Sequence, residues 1–406
     1  MKILHINYSE LNGGAAIGAN RLHQALLKLN INSEMLVVER CTIEPFIHSP
    51  KNSVEELIYQ LKKILARFIK RKLIRTNNKE TFSFNYFNTN ILNKIKLINP
   101  DIVHIHWIGN EMISISQLKK IKKPIIWTFW DMWPFCGAEH YSYDKRHLNG
   151  YSELNRPETE KGLDLNKFIW NYKKKHYEFK FTINAPSKWI YDEIKKSELT
   201  KNKSVINIAP NLDTKFWCPF DRDISRQIYQ FPKNRKILLF GSSAGVNHRK
   251  GFDFLINLFK KKKFDNTKLI IFGEKPKRIN ELNIEYSFVG QIKDNIALRL
   301  LYSSANLLLM PSKLEVFGQV GLESQACGTP CIVFENTGQT DFVKHKETGY
   351  VSKLLDVEDF AKGINWILQD ENTYNALSNS GIKYVKENFD DDIIGKKFIR
   401  EYNNVK

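Results

Sequence analysis

Two glutamates, Glu315 and Glu323, are separated by seven residues in the run Pro311-Ser312-Lys313-Leu314-Glu315-Val316-Phe317-Gly318-Gln319-Val320-Gly321-Leu322-Glu323. The first falls in a loop after an apolar strand, the second about two turns further on, inside a helix whose start Gly318 loosens. Backbone N–H groups at such a helix start suit a phosphate, and a carboxylate further along suits a ribose diol. The plainer alternative is that Glu315 caps the helix and Glu323 is solvated. Upstream, Phe240-Gly241-Ser242-Ser243-Ala244-Gly245-Val246-Asn247-His248-Arg249-Lys250-Gly251 leaves a strand through small residues and ends in two cations ahead of a helix. An Arg fork beside a Lys point charge can hold a diphosphate and offset the charge on a departing one. As plain surface cations they would stand at the wrong end of the helix dipole.

Three further groups carry chemistry. Gly13-Gly14, followed by Ala15-Ala16, allows close backbone approach to phosphate or sugar, or simply a tight turn. His104 and His106 share a face of the strand Asp101–Trp107; a metal pair is conceivable, but no third ligand announces itself, and wall histidines are the better reading, with His106 nearer the site. The aromatic-rich segment Trp127-Thr128-Phe129-Trp130-Asp131-Met132-Trp133-Pro134-Phe135-Cys136-Gly137-Ala138-Glu139-His140-Tyr141 pairs ring faces with carboxylates, as a sugar site would. Trp130, Asp131, Trp133 and His140 are its candidates, while Trp127 and Phe129 read as core.

Strands alternating with helical stretches must position these groups. Lys2–Asn7, Met35–Val38, Ile102–Trp107, Ile125–Phe129 and Phe181–Ala185 form one βαβ series, and Ile237–Ser242, Leu269–Gly273, Ala305–Ser312 and Thr329–Phe334 a second. Two doubly wound α/β domains of similar size follow, with the polar, proline-bearing stretch 210–235 as their linker. The carboxyl ends of parallel strands are where such domains bind ligands, and the chemical residues follow strands. The five cysteines form no Cys-x-x-Cys and read as reduced thiols. No apolar run approaches a transmembrane length, and the N-terminus reads as a strand rather than a signal peptide.

The net charge of +18, from 62 Lys+Arg against 44 Asp+Glu, calls for an anionic partner. Basic residues are spread along the chain without a nucleic-acid recognition motif, so nucleic acid is a minor alternative and phosphate-bearing substrates are preferred. One basic concentration stands out. Val54, Leu57, Ile58, Leu61, Ile64, Leu65, Phe68 and Ile69 make a helical apolar stripe flanked by Lys62, Lys63, Arg67, Lys70, Arg71, Lys72 and Arg75. Residues 54–75 therefore read either as a helix lying on an anionic membrane or as an ordinary surface helix packed on its own domain.

With Glu315, Glu323 and the following Ala326-Cys327-Gly328-Thr329-Pro330, the chain resembles the retaining glycosyltransferases of family 4. Ala185-Pro186-Ser187-Lys188-Trp189, Ala209-Pro210-Asn211-Leu212-Asp213, Asn336–Asp341 and Thr348-Gly349-Tyr350 extend the likeness. The aromatic segment is similar to an exopolysaccharide, colanic-acid type of subgroup; relatives have His before the Asp, where Trp130 stands here, a role His140 could partly take over. The resemblance implies a GT-B fold: two Rossmann-like domains facing a central cleft, an acceptor domain at 1–208, a nucleotide-sugar domain at 209–384, and a helix at 385–406 crossing back. It implies Glu323 on the ribose, Glu315 on donor-sugar hydroxyls, and Gly13, Gly14, Gly241, Ser242, Arg249, Lys250, Phe317, Gly318, Gln319 and Val320 around the donor. Arg249, Lys250, Glu315 and Asp131 would act in catalysis, with His106, Trp130, Asp131, Trp133 and His140 toward the acceptor. It further implies a nucleotide-diphosphate sugar donor, a glycan or lipid-linked acceptor in bacterial surface polysaccharide assembly, no metal or other cofactor, and a cytoplasmic place, peripheral on the inner membrane face. A catalytically inactive partner subunit of the same fold is the alternative that Trp130 motivates.

Overall fold

The computed structural model of the chain describes residues 1–50, 53–242 and 248–406. Two compact units emerge: Met1–Asn211 together with Ile394–Lys406, and Leu212–Ile393. The divisions thus fall after Asn211 and Ile393 rather than after residues 208 and 384. The second difference has a clear cause: residues 385–389 complete the helix Glu371–Phe389 of the second unit, and a new helix, Asp391–Val405, begins after them.

The first unit is built on a seven-stranded sheet in the spatial order Ile47–His48, Asn32–Leu36, Lys2–Ile6, Ile102–Ile105, Ile125–Thr128, Thr182–Ala185, Ser204–Asn207. Every pairing in it is parallel. Its central strands are buried along their whole length, as expected where helices cover both faces. The helix Asp391–Val405 supplies part of that cover. Ile394, Phe398 and Tyr402, spaced one turn apart, pack on Ile3, Leu22, Leu26, Ile102 and Ile126.

The second unit carries a six-stranded parallel sheet in the order Tyr286–Gly290, Thr267–Gly273, Lys236–Ser242, Leu307–Met310, Cys331–Phe334, Gly349–Ser352. Both sheets have doubly wound, Rossmann-like topology. The expectation of a linker at 210–235 is corrected. Leu212, Trp217, Arg226 and Phe231 are buried in the second unit, and Arg226 donates to the Ser304 carbonyl at 2.9 Å and to Asn306 Oδ1 at 2.8 Å. Proline and polarity marked a segment that packs on the second unit and includes the helix Arg222–Ile228. Ser204–Asn207 forms the edge of the first sheet.

Candidate functional site

In the second unit the sequence brings two distant segments to one end of the sheet. His248–Lys250 is a single 3-10 turn after the strand Lys236–Ser242, and the loop holding Glu315 follows the strand Leu307–Met310. The two strands are hydrogen-bonded neighbours, so their carboxyl-end loops are adjacent. Gly251 makes the contact close: its φ is +78°, and a Cβ there would sit 1.9 Å from the Pro311 carbonyl oxygen. The backbone then knits together, Lys313 N–H donating to the Arg249 carbonyl at 2.8 Å and Arg249 Nη1 donating to the Leu314 carbonyl at 2.7 Å.

This places both cations on one carboxylate. Arg249 Nη1 lies 3.2 Å from Glu315 Oε2, and Lys250 Nζ donates to the same oxygen. Burial alone would raise the Glu315 carboxyl; the Lys250 ammonium and the Arg249 guanidinium hold it below the ordinary value. Glu315 does not cap the helix Gln319–Ala326, whose cap position is Gly318 with φ +95°. Glu323 is not solvated either. It is 5% exposed and accepts from the Tyr302 hydroxyl at 2.8 Å. The plainer alternative for both glutamates thus gives way: each is buried and oriented. Phe317 turns its ring into the core against Phe342 and Phe389, leaving its backbone to the loop. Gln319 is buried and Val320 half-buried at the helix start. Gly241 lies in its strand under the Phe272 ring, which a Cβ would strike at 2.4 Å. The small-residue loop 243–247 and the Ser242 side chain lie outside the described residues.

In the first unit Gly13 caps the helix Gly14–Lys28 with φ +97°, and a Cβ at either Gly13 or Gly14 would meet nothing within 4 Å. Backbone approach is open there. The aromatic segment divides. Trp127, Phe129 and Trp133 are core: Trp133 is 2% exposed, its Nε1 donates to the Ser83 carbonyl at 2.8 Å, and Lys173 Nζ covers its ring at 4.0 Å. The expectation that Trp133 offers a face to sugar is corrected, since both ring and N–H are taken. Trp130 is half-buried and donates through Nε1 to His106 Nδ1 at 3.1 Å. Asp131 is a hub. Its Oδ1 accepts from Trp133 N–H at 3.0 Å, and its Oδ2 accepts from Trp107 Nε1 at 2.6 Å and from His140 Nδ1 at 2.5 Å.

Sequence reading missed three partners. Ser83 Oγ lies 2.8 Å from His140 Nε2, completing a Ser83–His140–Asp131 chain. Ser83 is fully buried and also accepts from Asn110 N–H at 3.0 Å, so the chain braces the segment. Lys173, in a run of lysines that reads as solvated, is fully buried; Nζ donates to the carbonyls of Trp133, Cys136 and Gly137. Desolvation brings its pKa down to about 7. Nothing local in Lys173-Lys174-Lys175 distinguishes it. The third is His5, which joins His104 and His106 because strand pairing sets His5 beside His104. Their ligand atoms lie within 4.8 Å of one another, the geometric minimum for a metal trio that the sequence did not show. Hydrogen bonds take most of those nitrogens. His104 meets Tyr402 and Thr128, each at 2.7 Å. Because the Trp130 indole can only donate, the His106 proton sits on Nε2, facing His5 Nδ1 at 2.9 Å. Burial keeps all three neutral, His106 at about 3.

Residues 221–384 match the family model "Glycosyl transferases group 1". The capsular polysaccharide biosynthesis glycosyltransferase CapM of Staphylococcus aureus is 28% identical over 162 residues, 38% of this chain and 43% of that protein. The N-acetyl-alpha-D-glucosaminyl L-malate synthase of Bacillus anthracis is 28% identical over 218 residues, 51% of this chain and 56% of that protein. The chain thus spans about half the length of these curated relatives. Among solved structures, Anabaena HepE in complex with UDP-glucose superposes with a TM-score of 0.67 at 15% identity, covering 100% of both chains. The chain has the GT-B fold of two parallel-sheet, Rossmann-like units, and the greater part of its second unit matches the group 1 glycosyl transferases.

Proposed function

We propose that this protein is a retaining glycosyltransferase of the family 4 type, of an exopolysaccharide subgroup. It moves a hexosyl unit from a nucleotide-diphosphate sugar to a glycan or lipid-linked glycan of a surface polysaccharide, acting on the inner face of the cytoplasmic membrane. The observation that carries this reading is the buried Glu315 held by Arg249 and Lys250 beside the Gly318-capped helix, with Glu323 oriented by Tyr302 further along that helix. In this reading Glu323 takes the ribose diol. The two cations would shift from Glu315 toward the donor diphosphate and offset the charge that grows as it leaves, so the reading needs no metal ion. Glu315 would accept from donor-sugar hydroxyls. Retention without a protein nucleophile follows if the acceptor attacks on the leaving-group face and the departing phosphate oxygen takes its proton. Asp131, His106, Trp130 and His140 are the acceptor-side candidates in the first unit. Two similar proteins, one named for capsular polysaccharide biosynthesis and one solved with UDP-glucose, support the substrate class.

The test is a thermal-shift screen of nucleoside diphosphates and their sugars with wild type and Glu323→Ala. A ligand that binds the native state raises its melting temperature by mass action. A rise with one nucleotide base, lost in the variant, is expected, followed by transfer to a glycan acceptor with the anomeric configuration kept. No shift with any nucleotide sinks the reading. Binding without turnover on every acceptor favours the inactive partner subunit.

A further inference from the structure

The helix Ser53–Leu73 presents its apolar side outward. Leu57, Leu61, Ile64 and Phe68 are each more than half exposed, at 55–59%, and Ile58 and Leu65 are 44% and 43% exposed. At about 100° per residue, these side chains fall within an arc of about 120°. The face that meets the first unit is the opposite one and is narrow: Tyr59 and Ala66 are buried, and Lys63 Nζ reaches the Tyr8 hydroxyl at 3.4 Å and Glu39 at 3.3 Å. Lys62 Nζ donates to the Asn88 carbonyl at 2.6 Å. Lys62 and Lys63 therefore fasten the helix to its own unit, while Arg67 and Lys72 are exposed. The side chains of Lys70, Arg71 and Arg75 lie outside the described residues.

We propose that this helix lies in the headgroup layer of an anionic lipid bilayer, its apolar ridge buried among the acyl chains, and holds the first unit on that surface. The inference rests on the function proposed above only in that a lipid-linked acceptor would be met there. The occupant follows from charge. From Leu57 to the end of the helix there are six Lys or Arg residues and no acid. A second copy docking on the ridge would set these cations against their equals, whereas anionic headgroups around an apolar stripe match both the charge and the apolar face. The helix lies on the membrane rather than crossing it: no helix among the described residues is long and apolar enough to span one.

Flotation of the full chain with vesicles of phosphatidylcholine, alone or with about a quarter phosphatidylglycerol, tests this. Wild type is expected to float with the anionic vesicles and to be released by salt. Leu57→Ser/Leu61→Ser/Ile64→Ser/Phe68→Ser, whose substitutions are all on the exposed face, is expected to bind at least about tenfold less. Arg67→Glu/Lys72→Glu is expected to lose about tenfold on anionic vesicles only. Circular dichroism and the nucleotide thermal shift, both unchanged, show that the variants fold, and keep this test separate from that of the enzymatic reading. Failure of wild type to float, or binding of both variants equal to that of wild type, overturns the proposal. So does a wild-type dimer by light scattering that the serine variant disperses, which would assign the ridge to a second copy.

Discussion

At Glu315 the deciding physics is local. A carboxylate with 7% exposure survives as an anion because two cations reach one of its oxygens. Removing one cation leaves the other, so Lys250→Ala should fold. Transfer should nonetheless fall by about 10²–10³ in kcat, the usual cost of one charge-stabilising donor at a departing group. Nucleotide affinity measured by calorimetry should change far less. Equal losses in both would reassign Lys250 to ground-state binding. Both cations and both glutamates were legible in the sequence, because a chemical group and its neighbours along the chain suffice to suggest a charge site. That Glu315 itself is the cations' partner was not legible. It stands sixty-five positions along the chain from Lys250, and only strand adjacency joins them.

Elements position that charge site through one glycine. Gly251 adopts a left-handed φ and passes against the Pro311 carbonyl, which lets the turn carrying Arg249 and Lys250 rest on the Glu315 loop. Gly251→Ala should separate the two segments: a Cβ 1.9 Å from a backbone oxygen cannot be accommodated by a side-chain shift. We expect a loss of about 2 kcal/mol or more in urea unfolding, together with loss of transfer. A variant with wild-type stability and activity would show that the turn is held in some other way. The sequence showed strands, glycine loops and the amphipathic helix by their periodicity. It mistook the segment 210–235 for a linker and Trp133 for a ligand face, because proline and aromatic residues look the same whether packed or exposed.

On the scale of the whole molecule, stability is tied to pH through buried histidines. Burial depresses His5 and His104 well below the ordinary value, His106 to about 3 and His23 to about 4. The unfolded chain then binds more protons than the native one below the ordinary histidine value of about 6.5. Stability from these groups is complete above that pH and is lost as pH falls from 6.5 toward the folded values. At pH 5 His106 and His23 each contribute a loss of about 2 kcal/mol relative to neutral pH, and His5 and His104 act in the same direction. Urea midpoints should therefore drop steeply between pH 7 and 5, and His23→Gln should flatten the slope by about one proton. A flat profile in wild type would mean these rings are solvated.

What the sequence by itself determined is what short-range chemistry can encode. This includes two parallel α/β series, a phosphate-suited helix start with its glutamates, the cation pair, and a basic amphipathic helix. What only the tertiary structure decided depends on residues far apart in the chain. Strand order set His5 beside His104, and His104 is also capped by Tyr402 of the C-terminal helix. Burial made Lys173 a clamp on three carbonyls and Trp133 a core residue. Packing left the ridge of the helix Ser53–Leu73 uncovered. Periodicity tells which side chains share a face; only the folded chain tells which face is covered and by what.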